Sequence, residues 1–73
     1  MPPRQRQPAS RQVEAALRAR IQAGEWASGD QLPSTAALAE QYAVSRASVA
    51  KAVRRLADDG LVAIEPQWGT FRT

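Results

Sequence analysis

Two short amphipathic segments separated only by Ala43 and Val44 constrain this chain more than any other feature. In the first, Leu38, Ala39 and Tyr42 fall at helical spacing and make one apolar stripe. In the second, Val49, Ala52, Val53 and Leu56 repeat at i, i+3, i+4 and i+7. Each has its own start signal. Ser34 or Thr35 caps the first, which is expected to run to about Tyr42, and Ser45 caps the second, expected to run to about Asp58. So short a link is expected to leave the two helices at a steep angle, as in helix-turn-helix units.

The flanking sequence supplies the rest of a small domain. Ser10 is a candidate N-cap for an earlier helix in which Val13, Ala16, Leu17 and Ile21 face one side. Arg11 and Arg18 point away from that stripe. Arg20 falls on it, so its stem is expected to pack there while the guanidinium reaches water or a partner. Gly24 suits the left-handed position that ends a helix. Residues 25–30 read as a loop, with turn chemistry at Ser28-Gly29-Asp30. Trp26 in that loop is either a lid over the core or a platform for a ligand, and the lid is the commoner role. Gln31 and Leu32 are long enough for a minimal strand before Pro33.

Gly60 stops the last helix. Asp58 and Asp59 sit at the negative end of its dipole, where carboxylates are unfavourable, and the sequence offers no structural need for them. Leu61 to Glu65 reads as a strand, Pro66 to Gly69 as a loop and Thr70 to Thr73 as a returning strand. The expected fold is therefore α+β and mainly α: a winged helix-turn-helix of three helices followed by a two-stranded β-hairpin wing. It spans 10–73, behind a disordered basic arm over 1–9 that contains three prolines.

Composition narrows the function classes. A chain of 73 residues makes one small domain. It has no Cys and no His, so neither a disulfide nor a His or Cys zinc site is expected, and no cofactor is implied. No apolar run approaches the length of about 20 that crosses a bilayer, and the N-terminus lacks a signal-peptide core. A soluble cytoplasmic protein is expected. The carboxylates are scattered, no glycine-rich loop has phosphate-binding spacing, and adjacent Asp58 and Asp59 diverge on a helix, so an enzyme is not expected.

The net charge is only +3, but it is unevenly placed. Arg4, Arg6 and Arg11 crowd the N-terminus, and Arg46, Lys51, Arg54 and Arg55 crowd one helix. On charge alone this is either a solvated helix face or a phosphate-binding one. The first turn of that helix has small residues around Arg46, namely Ser45, Ala47 and Ser48, which lets the backbone approach a groove closely. Arg46 can reach a guanine edge bidentately or bind phosphate, and Lys51 is better placed for the nucleic-acid backbone. At the wing tip, Gly69 allows close backbone approach. Trp68 either packs on a sugar or the nucleic-acid backbone, or folds back over the hairpin. A helix-turn-helix followed by a hairpin is an arrangement for binding double-stranded DNA. The candidate contact residues are Ser34, Thr35, Ser45, Arg46, Ala47, Ser48 and Lys51, with Gln67, Trp68, Gly69 and Thr70 on the wing. The rival reading is a winged helix whose third helix docks a protein.

Over residues 11–73 the chain resembles the DNA-binding domain of the GntR family of bacterial transcription regulators. The resemblance rests on Ile21, Gly24-x-Trp26-x-x-Gly29-Asp30-x-Leu32-Pro33-Ser34, Leu38-Ala39-x-x-Tyr42-x-Val44-Ser45-Arg46, Val49, Ala52, Leu56, Gly60-Leu61 and Gly69-Thr70-Phe71. The Leu-Pro-Ser and Gly-Thr-Phe segments look more like the HutC-type branch than the fatty-acid-regulator branch. The resemblance implies a repressor, a two-fold dimer in the full regulator and a palindromic operator. It also implies a further domain, outside this chain, that binds a small-molecule effector; a stand-alone regulator is the alternative. The apolar residues are expected to be used by the chain's own core, leaving the isolated domain mostly monomeric. Three positions depart from the family pattern: Ala36 and Ala50 stand where members often carry Arg, and Gln67 where the wing usually begins with Gly.

Overall fold

The computed structural model describes residues 8–73, so all but Pro8 and Ala9 of the expected basic arm lie outside the described residues. Three helices come first: α1 (Ala9–Gln22), α2 (Thr35–Tyr42) and α3 (Arg46–Asp58). Strands β1 (Val62–Glu65) and β2 (Gly69–Arg72) follow and pair antiparallel, Val62 opposite Arg72 and Glu65 opposite Gly69. This is the winged helix expected from the sequence.

The helix starts differ in how they are made. Ser34 and Ser45 cap α2 and α3, their hydroxyl oxygens accepting from the amides of Ala37 and Ser48 at 3.0 and 3.1 Å. Ser10 does not cap α1. The helix begins two residues earlier than that cap would set, at Ala9, with Pro8 in the cap position and no side-chain cap bond. The Pro8 carbonyl accepts from Arg11 and Gln12, and Ser10 is buried. The tight turn between α2 and α3 rests on Ala43, the one non-glycine residue with positive φ (54°) among the described residues. Its left-handed backbone lets the Val44 amide reach back to the Ala39 carbonyl at 3.0 Å and close the helix.

The core forms where the three helices meet. α1 contributes Val13, Leu17 and Ile21, α2 contributes Leu38 and Ala39, and α3 contributes Val49, Ala52, Val53 and Leu56. Leu32 and Val62 close it from the loop and the wing, and Trp26, Tyr42, Val44 and Leu61 pack around its edge. Helix α3 packs against α1, α2 and β1.

The hairpin is bound to the body along β2. Gln31 forms an isolated β-bridge with Phe71. The Leu32 amide donates to the Thr70 carbonyl at 2.8 Å, and the Gly29 amide donates to the Arg72 carbonyl at 2.7 Å. Thus β2 is paired on both sides, and the expected minimal strand at Gln31 and Leu32 is that third line of pairing. Strand limits shift slightly from the sequence reading, with Leu61 and Thr73 outside the strands and Gly69 inside.

Two arginines tie the elements together. Arg20 donates to both oxygens of Glu25 (2.8 and 2.5 Å), to the Tyr42 hydroxyl at 2.8 Å, and covers the Trp26 ring at 4.7 Å. It joins the end of α1, the following loop and the end of α2, with Trp26 as the lid. Arg18 donates to Glu14 at 3.0 Å and to Asp59. Asp59 therefore does have a structural partner, which no local pattern revealed because the two lie 41 positions apart.

Leu56 is fully buried. Leu56→Ala is expected to cost about 2–5 kcal/mol, a large share of the stability of a domain this size, and urea unfolding followed by circular dichroism reads it. The Arg20 hydrogen bond holds the Glu25 carboxyl below the usual carboxylate range, against a smaller opposing effect of desolvation. A carboxyl depressed in the folded state adds stability above its unfolded pKa and loses it as pH falls through the folded one. Glu25→Gln is therefore expected to melt lower than the parent near neutral pH. The gap should close below the ordinary glutamate pKa of about 4.3. A gap independent of pH would show that the ion pair is not its source.

Candidate nucleic-acid interface

The outer face of α3 is defined by what its inner face buries. At about 100° per residue, Ala47, Lys51 and Arg54 lie opposite the buried stripe, flanked by Ala50 and Arg55, with Arg46 nearer the edge. All six are exposed. The first turn carries only Arg46 as a large side chain. The Ser45 cap takes the Ser48 amide, which leaves the amides of Arg46 and Ala47 for an external acceptor.

The pairing of charges sorts the basic residues. Arg18 and Arg20 are held by carboxylates, and Arg55 lies 3.7 Å from Glu14. Arg72 donates through Nη1 to the Leu61 and Thr73 carbonyls. Among the described residues, the side chains of Arg11, Arg46, Lys51 and Arg54 make no hydrogen bond or ion pair, and three of these four stand on α3. Ala50, Lys51, Arg54, Arg55 and Asp58 line a shallow open groove along that helix.

The candidate hydroxyls divide. Ser45 is fully engaged, its oxygen accepting from the Ser48 amide and its proton directed to the Ser48 hydroxyl at 3.0 Å. Ser48 keeps its own proton to donate. Ser34 accepts from Ala37 and likewise keeps a proton, and Thr35 beside it is exposed. Thr70 is half-buried in β2 opposite Ile64.

The wing tip is held in an unexpected way. Trp68 does not fold back over the hairpin: it is 72% exposed, and Ile64 on β1 is 44% exposed. The core therefore does not consume every large apolar side chain, contrary to the sequence expectation, and both exceptions are on the wing. Gln67 is exposed beside Trp68. The Gln31 side-chain amide donates to the Trp68 carbonyl at 2.7 Å. Gly69 sits at φ +118°, and a Cβ there would lie 2.6 Å from the Gln31 amide nitrogen. Sequence reasoning missed Gln31, for which no local signal exists, since its partner lies 37 positions away. Arg54, which helical phase places on the outer face with Lys51, was also missing from the candidate contact residues.

No helix among the described residues is long and apolar enough to cross a membrane. The family model for bacterial regulatory proteins of the gntR family matches residues 9–71. The chain belongs to that family. It is similar to the histidine utilization repressor of Klebsiella aerogenes, 37% identical over 59 residues, which covers 81% of this chain and 24% of the relative. It is also 38% identical over 55 residues to an uncharacterized HTH-type transcriptional regulator, YisV, of Bacillus subtilis, covering 75% of this chain and 11% of that protein. The chain thus spans a quarter or less of the curated relatives it matches. Among solved structures it resembles the AraR DNA-binding domain in complex with operator ORR3, with a TM-score of 0.92, 26% identity, all of this chain covered and 88% of the other. The domain is the DNA-binding part of a gntR-family transcription regulator, and the family is not one of enzymes.

Proposed function

We propose that this domain binds double-stranded operator DNA as part of a repressor, with α3 in the major groove and the hairpin on the flanking backbone or minor groove. The observation that carries this reading is the group of Arg46, Lys51 and Arg54 on the outer face of α3, free of the carboxylates that occupy Arg18, Arg20 and Arg55. A helix start with small side chains and two open amides adds a site for close approach to a phosphate or base edge. The name of the Klebsiella relative supports repression, and the operator complexes of the AraR domain support binding to operator DNA.

Arg46 reads a base edge near the start of α3, and Lys51 and Arg54 bind phosphate. The protons of Ser34 and Ser48, with Thr35, Ala47 and the wing residues Gln67, Trp68, Gly69 and Thr70, complete the surface, and Ser45 acts through its cap. In the full regulator two copies sit on a palindrome with their α3 helices about 34 Å apart, one helical turn of DNA. An effector would act through a further domain.

Selection from random duplexes, followed by affinity measurements across salt concentrations, tests this reading. Arg46→Ala is expected to cost about 1–3 kcal/mol on the selected duplex and little on random DNA. Lys51→Ala should weaken both alike and lower the salt slope by about 0.9, one phosphate contact. Equal Arg46→Ala losses on the two duplexes would reassign Arg46 to phosphate. A parent that shows no salt-dependent affinity for any duplex would sink the DNA reading in favour of protein docking. Ala50 is exposed beside Lys51, where members of the family often carry Arg. Ala50→Arg is expected to strengthen binding or change the selected sequence, and unchanged affinity and sequence would place position 50 away from the DNA.

A further inference from the structure

We propose that Trp68 makes a charge-free contact with the deoxyribose wall of the minor groove, and that Gln31 is the positioning residue that holds it there. The proposal rests on the DNA-binding reading above and extends it to the wing.

An indole that is 72% exposed on a small domain gives up the stabilisation of burial, yet its backbone is restrained on both sides. The Trp68 amide donates to the Glu65 carbonyl at 2.9 Å, and its carbonyl accepts from Gln31 at 2.7 Å. Gln31 is in turn anchored by its backbone bridge to Phe71 in β2. Gly69 leaves the room that the Gln31 amide occupies. The side chain is thus aimed outward from a fixed backbone, which lowers the entropy lost when it meets a partner.

The charge of the wing selects the chemistry of that partner surface. Residues 61–71 contain no Lys or Arg, and their one charge is Glu65. Glu65 is exposed and pairs with Gly69 at the hairpin end, beside the Trp68 turn. Such a tip has no attraction for phosphate, and its carboxylate is repelled by it. An exposed indole, on a hairpin that also exposes Ile64, instead suits the apolar faces of sugars. The salt dependence of binding then belongs to the cations of α3, and the wing adds a contribution that salt does not screen.

The test uses the 73-residue chain and the duplex it selects from a random pool, with affinity read across salt concentrations. Trp68→Ala is expected to lower affinity about tenfold at every salt concentration, leaving the salt slope unchanged, and Trp68→Phe should restore much of it. Gln31→Ala should lose part of the same factor. The double variant Gln31→Ala/Trp68→Ala should bind no more weakly than Trp68→Ala alone, because Gln31 acts through Trp68. Thermal melting of each variant, unchanged from the parent, shows that the domain is intact. Unchanged affinity in Trp68→Ala overturns the proposal while a binding parent keeps the DNA reading. A changed salt slope overturns it in favour of a phosphate contact. Additive losses in the double variant overturn the role of Gln31. A parent that binds no duplex overturns this proposal and the DNA reading together.

Discussion

The inner face of α3 holds this domain in one shape. Val49, Ala52, Val53 and Leu56 are buried there, and α1, α2 and β1 all pack against that helix. Fully buried Ala52 puts a small residue in the middle of this packing face. Because one face is committed to the core, the opposite face is presented to solvent without freedom to rotate. A helix that offers side chains to a groove needs that rigidity, since a turn about its axis would replace the cations by the apolar stripe.

Charge is sorted with equal consequence. Three carboxylates, Glu14, Glu25 and Asp59, are spent on arginines that join helices and loops. The result is a modest net charge with an uneven surface: neutral where elements are tied together, and positive along α3. A field concentrated on one face attracts a polyanion more effectively than the same charge spread evenly. The arginines inside the ties also have packing roles, as Arg20 shows by covering Trp26. Charge count alone would credit both groups equally with binding.

The wing adds a different kind of surface. It is fastened to the body through β2 and the segment from Gly29 to Leu32, so its tip moves with the core. Its exposed side chains are apolar or uncharged apart from Glu65. The domain thus divides its outer surface between a cationic helix and a nearly charge-free hairpin.

Much of this was legible in the sequence because it depends on neighbours along the chain. Helical spacing in Val49, Ala52, Val53 and Leu56 requires one face inward, and Ser34 and Ser45 cap the helices that follow them through amides three residues away. The stop at Gly60 and the hairpin are equally local, as is the outer placement of Lys51 and Arg54. The departures came from contacts between distant segments or from competition at a boundary. Pro8 took the cap position from Ser10, and Asp59 found Arg18 on another helix. Ala43 took a left-handed backbone, with which the Val44 amide closes α2 on the Ala39 carbonyl. The direction of Trp68 was undecidable from its own neighbourhood, since both the folded-back and the extended rotamers suit a hairpin loop. Only the tertiary structure brings the Gln31 amide across to the Trp68 carbonyl, and with it decides which arginines are bound to carboxylates and which are free.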